Sequence, residues 1–143
     1  MKLTFLAGAA VALPLVFALP APAENPAHVQ QLLDTNLCQG CDLSGADLTQ
    51  AHLIGADLRD ANLVGATLVE ANLEGADLSR ANLSEANLTR AFLTNALLEN
   101  ATLDRANLTE AEIYFADVTG ASFLNADLTG AEVVGTPISV GGD

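Results

Sequence analysis

Residues 61–80 read ANLVG ATLVE ANLEG ADLSR, four five-residue blocks in a row, each with alanine first and leucine third. The same frame extends in both directions: alanine recurs at every fifth position from Ala46 to Ala131, eighteen times without a break. Two residues after each comes a large apolar residue, and fifteen of the nineteen from Leu43 to Val133 are leucine. An α-helix repeats near 3.6 residues and a strand at about 2, so neither buries a strict period of five. A repeat of this kind builds a solenoid, in which equivalent side chains of successive turns stack into one core.

From Cys41 the blocks run CDLSG, ADLTQ, AHLIG, ADLRD and onward to AEVVG and a degenerate TPISV, twenty in all. This pattern closely resembles the pentapeptide-repeat family, whose blocks carry a small residue, Asp or Asn, Leu or Phe, a polar residue and often Gly. The resemblance covers Cys41 to about Val140. It implies an all-β solenoid: a right-handed quadrilateral β-helix with four blocks per coil, hence about five coils, ~24 Å tall at ~4.8 Å per coil. In such a fold leucine fills the middle of each side and alanine packs near the corner. Seven of the eleven glycines fall at the last position of a block, where a positive φ is tolerated. The preceding stretch LLDTNLCQGCDLSGADL is also similar to the entry of secreted members of the family from oxygenic photosynthetic bacteria.

Residues 1–23 read as a signal peptide. Lys2 supplies the n-region charge, Leu3 to Leu19 is apolar, and Ala21-Pro22-Ala23 offers small residues for cleavage before Glu24. The apolar run is short for a membrane span and Pro14 interrupts it. Residues 24–40 form a capping helix and entry loop: Asn25 caps, Pro26 takes the first helical position, and Val29, Leu32 and Leu33 share a face. The repeat occupies 41–140, with Pro137 blunting its end, and 141–143 form a tail. His28, on the helical lid, is read as solvated.

Without Lys2, four arginines face eighteen acids, a net charge of −14. Such a surface repels nucleic acid and anionic lipid and favours basic partners. Cys38 and Cys41, in Cys38-Gln39-Gly40-Cys41, default to a disulfide in an oxidising compartment. A redox-active CxxC is the alternative, although no βαβ unit accompanies it. Zinc would need four ligands, for which only His28 and His52 could join the thiols. No nucleophile–base set, phosphate-cradling loop or calcium repeat is visible, so neither enzymatic activity nor a cofactor is expected. His52 faces outward and Tyr114 has no catalytic partner.

Stacking blocks four apart gives testable neighbours. Arg80 falls over Asp60, Arg105 over Glu85, and Arg90 between Glu70 and Glu110, in a column that starts at Gln50. Asn62 over Asn82 and Asn87 over Asn107 suggest short amide ladders. Asp57 over Asp77 and Glu112 over Glu132 are unfavourable acidic pairs, open to cations or basic groups. One side departs from the polar norm: it carries Ile54, Phe92, Tyr114, Phe115 and Val134, with Leu97 and Leu124 on adjoining sides. Scattered exposed apolar residues are ordinary, whereas a patch marks a partner surface or self-association.

Two functions follow. The first is an exported, non-enzymatic structural or protein-interaction module; for exported members the resemblance implies the periplasm or thylakoid lumen, with partners unassigned. The second is an acidic mimic of DNA, the activity known for family members that bind DNA gyrase. Between residues 42 and 135 fifteen acids and four arginines leave −11, roughly one charge per 2 Å against about one per 1.7 Å in duplex DNA. Here the charge is spread over four sides, and export would remove the chain from gyrase.

Overall fold

The computed structural model describes residues 24–138. The signal peptide (1–23), residues 139–140 of the repeat and the tail (141–143) lie outside the described residues. Helix α1 spans Pro26–Thr35. The Asn25 side-chain oxygen accepts from the backbone N–H of Ala27 at 3.2 Å and of His28 at 3.4 Å, so two end-of-helix donors are met. The chain leaves the helix through Asn36 at φ 56°, which reverses the backbone. Leu32 is buried and Val29 packs half-buried against the core. Leu33, expected on the same face, is 51% exposed. The docked stripe runs through His28, Val29 and Leu32, and at about 100° per residue Leu33 is turned out of it.

After the helix the backbone winds with a period of twenty residues. Parallel bridges join Asp42 to Asn62, Asn62 to Asn82, Asn82 to Thr102 and Thr102 to Ser122, and the other sides repeat this register. One turn of the winding therefore takes four blocks, and Leu63 falls between Leu43 and Leu83. The ladder is reciprocal: Leu63 N–H donates to the Asn82 carbonyl at 2.7 Å, and Asn82 N–H to the Ala61 carbonyl at 2.9 Å. Corners close locally, as where Ala66 N–H donates to the Leu63 carbonyl at 3.0 Å. The longest paired segments are β1 (Glu112–Tyr114) and β2 (Glu132–Val134), parallel neighbours in the same register.

The third-position leucines from Leu43 to Leu108 are buried without exception, and the first-position alanines between them are buried apart from half-buried Ala51. Alanine suits the first position of each block, which turns inward at the corner and leaves room for little more than a small side chain. Every fifth residue from Gly40 to Gly135 adopts a left-handed φ, between 54° and 69°. Twelve of these twenty corners carry a side chain despite the strain of roughly 1–2 kcal/mol that the conformation imposes. Winding also starts one block before Cys41. Residues 36–40, expected in the entry loop, already pair through Leu37 with Asp57, with Cys38 in the leucine position and Cys41 in the alanine position.

Candidate functional site

Blocks 51–55, 71–75, 91–95, 111–115 and 131–135 stack on one side, through bridges from His52 to Asn72, Phe92 and Glu112 and then through the β1–β2 pair. Period-two alternation aims second and fourth residues outward. Phe92 is 38%, Val134 51% and Phe115 63% exposed, and Tyr114 is half-buried. Ile54 is exposed too, but Glu74 and Thr94 occupy its column in the passes between it and Tyr114, so it stands apart. Leu97 lies on an adjoining side. Leu124 does not: its block is two removed from both 111–115 and 131–135, which puts it on the opposite side.

The Tyr114 hydroxyl donates to the Glu132 carboxylate. That bond first, then partial burial and the charges of Glu132 and Glu112, pushes its pKa up to about 12. Phe115 sits at a corner with φ 54°. Its ring lies over Gly135, where an added Cβ would come within 2.5 Å of a ring carbon.

Each expected arginine stack forms with the acid one coil before it, whereas Arg90 makes no ion pair with Glu110. Arg80 reaches Asp60, Arg90 reaches Glu70 and Arg105 reaches Glu85, each at 2.7 Å, and Gln50 also bonds Glu70 at 2.7 Å. Arg59 escaped the stacking scheme. It turns back within its own block to Asp57 at 2.6 Å and lies 3.8 Å from Asp77, so the Asp57–Asp77 pair already holds a cation. The hydrogen bond from Arg59 keeps the Asp57 carboxyl below the usual carboxylate range.

The amide ladders give way to local turns. Side-chain oxygens of Asn82, Asn87 and Asn107 each accept from the hydroxyl two residues on, Ser84, Thr89 and Thr109, at 2.6 Å, and from the same residue's N–H. Positions two and four share a face, so the nearer hydroxyl outcompetes the coil above. Asp42, Asp47, Asp117 and Asp127 make the same turn, and the hydroxyl and amide donors hold their carboxyls low.

The model of pentapeptide repeats matches this chain in eight copies, over residues 41–80, 76–112, 88–123 and 106–138. The chain belongs to the pentapeptide repeat family. Rfr23, a pentapeptide repeat protein of the cyanobacterium Cyanothece, is similar at 28% identity and a TM-score of 0.64, over 78% of this chain and 92% of that one. Full-length QnrB1, a plasmid-mediated fluoroquinolone resistance protein, shares the fold at 20% identity and a TM-score of 0.51, over 70% and 64%. A pentapeptide repeat protein of the Arabidopsis thaliana thylakoid lumen is 29% identical over 77% of this chain and 73% of its own, with a TM-score of 0.39. No curated protein matches the chain. The family and the likeness to Rfr23 give this pentapeptide repeat protein a right-handed β-helical solenoid.

In this pentapeptide repeat protein Cys38 and Cys41 come together with Cα atoms 5.2 Å apart and sulfurs at bonding distance. His28 is more than solvated: its Nδ1 accepts the Asp42 N–H at 2.9 Å and ties α1 to the first pass. His52 is exposed beside Asn72. Among the described residues there is no cavity, no cluster of His, Cys, Asp or Glu fit for a metal, and no helix long and apolar enough to cross a membrane. Thr136 went unnoticed in the sequence. It takes the corner place of alanine, and its hydroxyl accepts the Ala116 N–H at 2.9 Å while donating to the Ile113 carbonyl at 3.0 Å. A threonine breaking the alanine column was the available signal.

Proposed function

We propose that this pentapeptide repeat protein is exported, to the periplasm or thylakoid lumen, and acts there as a non-enzymatic structural or protein-interaction module. In this reading residues 1–23 are removed, the rod is square in section and about five coils long, and Cys38 and Cys41 are oxidised. The observation that carries it is the single side on which Phe92, Tyr114, Phe115 and Val134 stand outward together, with Ile54 at its far end, whereas Leu97 and Leu124 are isolated on other sides. Exposed aromatic residues are enriched where proteins meet proteins. DNA mimicry is less well supported, because the arginine pairs at Asp57, Asp60, Glu70 and Glu85 interrupt the acidic surface.

Crosslinking the mature protein in its own compartment, beside the triple variant Phe92→Ser/Tyr114→Ser/Phe115→Ser, tests the assignment. The wild type is expected to give a discrete crosslinked species that the variant loses while its melting curve stays cooperative. Identical crosslinks and size for both proteins would remove this side from any role. Exported protein beginning at Met1 would refute the leader.

A further inference from the structure

Counted with its closing corners, the side that carries Phe92, Tyr114 and Phe115 is the one side of the described rod without an arginine, at a net charge no different from that of two others. Between its corners it holds Glu74, Glu112 and Glu132 and no arginine or lysine. Arg59, Arg80 and Arg105 belong to other sides, and Arg90, at the corner just before this one, is bound to Glu70. All four arginines are thus engaged. Glu112 and Glu132 stack directly in register, with no cationic partner among the described residues.

Phe115 adds an independent mark. The other eleven side chains at left-handed corners are Asn, Asp, Gln, Glu or Arg. A bulky aromatic residue at φ 54° is an outlier, and at 63% exposure burial does not offset its strain. Gly135 leaves room for the ring, since a Cβ there would come within 2.5 Å of a ring carbon.

We infer that Phe92, Tyr114, Phe115, Glu112 and Glu132 form a docking face for an arginine- or lysine-bearing segment of another protein. The inference rests on the proposal that this same side is the interaction face and specifies the chemistry of its partner. Aromatic faces attract a guanidinium or ammonium group, and flanking carboxylates bond it. Two acids one coil apart, about 4.8 Å, suit cationic side chains spaced along an extended segment. A second copy fits poorly. Its arginines are already paired, and two bodies of charge −14 repel.

The test is titration of the mature protein with an acetylated, amidated tetra-arginine peptide, followed by backbone amide shifts and Kd, with tetra-lysine and tetra-glutamate peptides in parallel. The arginine peptide is expected to bind more tightly than the lysine peptide, the glutamate peptide not to bind, and shifts to concentrate in 111–115 and 131–135. Tyr114→Ser/Phe115→Ser and Glu112→Gln/Glu132→Gln are each expected to weaken binding about tenfold or more. Glu24→Gln/Glu99→Gln, which removes the same charge elsewhere, should leave Kd unchanged. Circular dichroism melts confirm that each variant is folded. Equal weakening by the control pair, shifts spread over all four sides, no binding, or a concentration-dependent dimer through this face would each overturn the inference. If the peptide fails while the triple serine variant still loses its crosslinks in the native compartment, the interaction face stands and only the cationic chemistry falls.

Discussion

At one end of the rod α1 lies over the first pass, His28 latches it to Asp42, and Leu53, on the side of the aromatic residues, is fully buried. At the other end Val133, the counterpart of Leu53 in the last described pass, is 39% exposed, and Ala126, Leu128 and Ala131 are only half-buried. Block chemistry is the same at both ends, so the difference is one of neighbours. A pass is held by the passes above and below it, and a terminal pass keeps one of them unless a cap replaces the other. The N-terminal end has its replacement. Among the described residues the C-terminal end relies instead on Thr136, which threads its hydroxyl into the last corner.

The sharpest way to break this contrast is to remove one apolar side chain from each end. Leu32→Ala, in the buried seam between lid and rod, is expected to destabilise by about 2–5 kcal/mol. Val133→Ala, already in partial contact with solvent, should cost less than about 1 kcal/mol. Urea unfolding measures both, and equal losses would mean that the lid is ornamental.

Reducing Cys38–Cys41 comes next. The proposed bridge closes a loop of four residues, for which chain entropy gives about 2 kcal/mol. Hydrogen exchange should report the loss at Cys38, Gly40 and Leu43, whose N–H groups donate to the second pass, and leave Ser122 and Asp127 unchanged. Uniform loss along the rod would show that its ends are not independent. At the open end Thr136→Val keeps the shape and removes the bridging hydroxyl. Leaving Ala116 N–H and Ile113 C=O unpaired near the core should cost about 1–2 kcal/mol, with exchange accelerating at Ala116 first.

How far each end could be read from residues alone follows from the range of the forces involved. The strict alanine and leucine columns set the period, and the period sets which blocks stack, so three arginine pairs were readable one coil apart. Arg59 was not, because it turns to Asp57 inside its own block, where side-chain reach and not the stacking period decides. The asparagine stacks failed for the same reason: Ser84, Thr89 and Thr109 sit two residues away and capture the amide oxygens first. Leu33 misled because three apolar residues on α1 cannot all face a seam that also admits His28. The apolar side was visible as a departure from the pattern. That Phe115 is strained and seated on Gly135, while Ile54 stands apart, needed coordinates.

The finest comparison uses two adjoining blocks with one turn between them. Asn107 and Asp127 stack in register, and each accepts from a threonine two residues on: Thr109 and Thr129, with hydroxyls at 2.6 Å and amides at 2.9 Å. Only one of them titrates. The hydroxyl and amide of Thr129 favour the charged form of Asp127, so its carboxyl lies below the value of about 3.9 found in an unfolded chain. Its contribution is complete above that unfolded value and disappears as pH falls through the lower folded one, because the unfolded chain takes up the proton first. Asp127→Asn should therefore leave the melting temperature at pH 7 almost unchanged and lessen its fall below about pH 4. The same substitution at Asp47, in the first pass, should act in the same direction, since Thr49 holds that carboxyl in the same way. A melting series from neutral to acid pH checks both, and an Asp127→Asn protein as acid-labile as the wild type would show that the turn, and not its charge, carries the stabilisation.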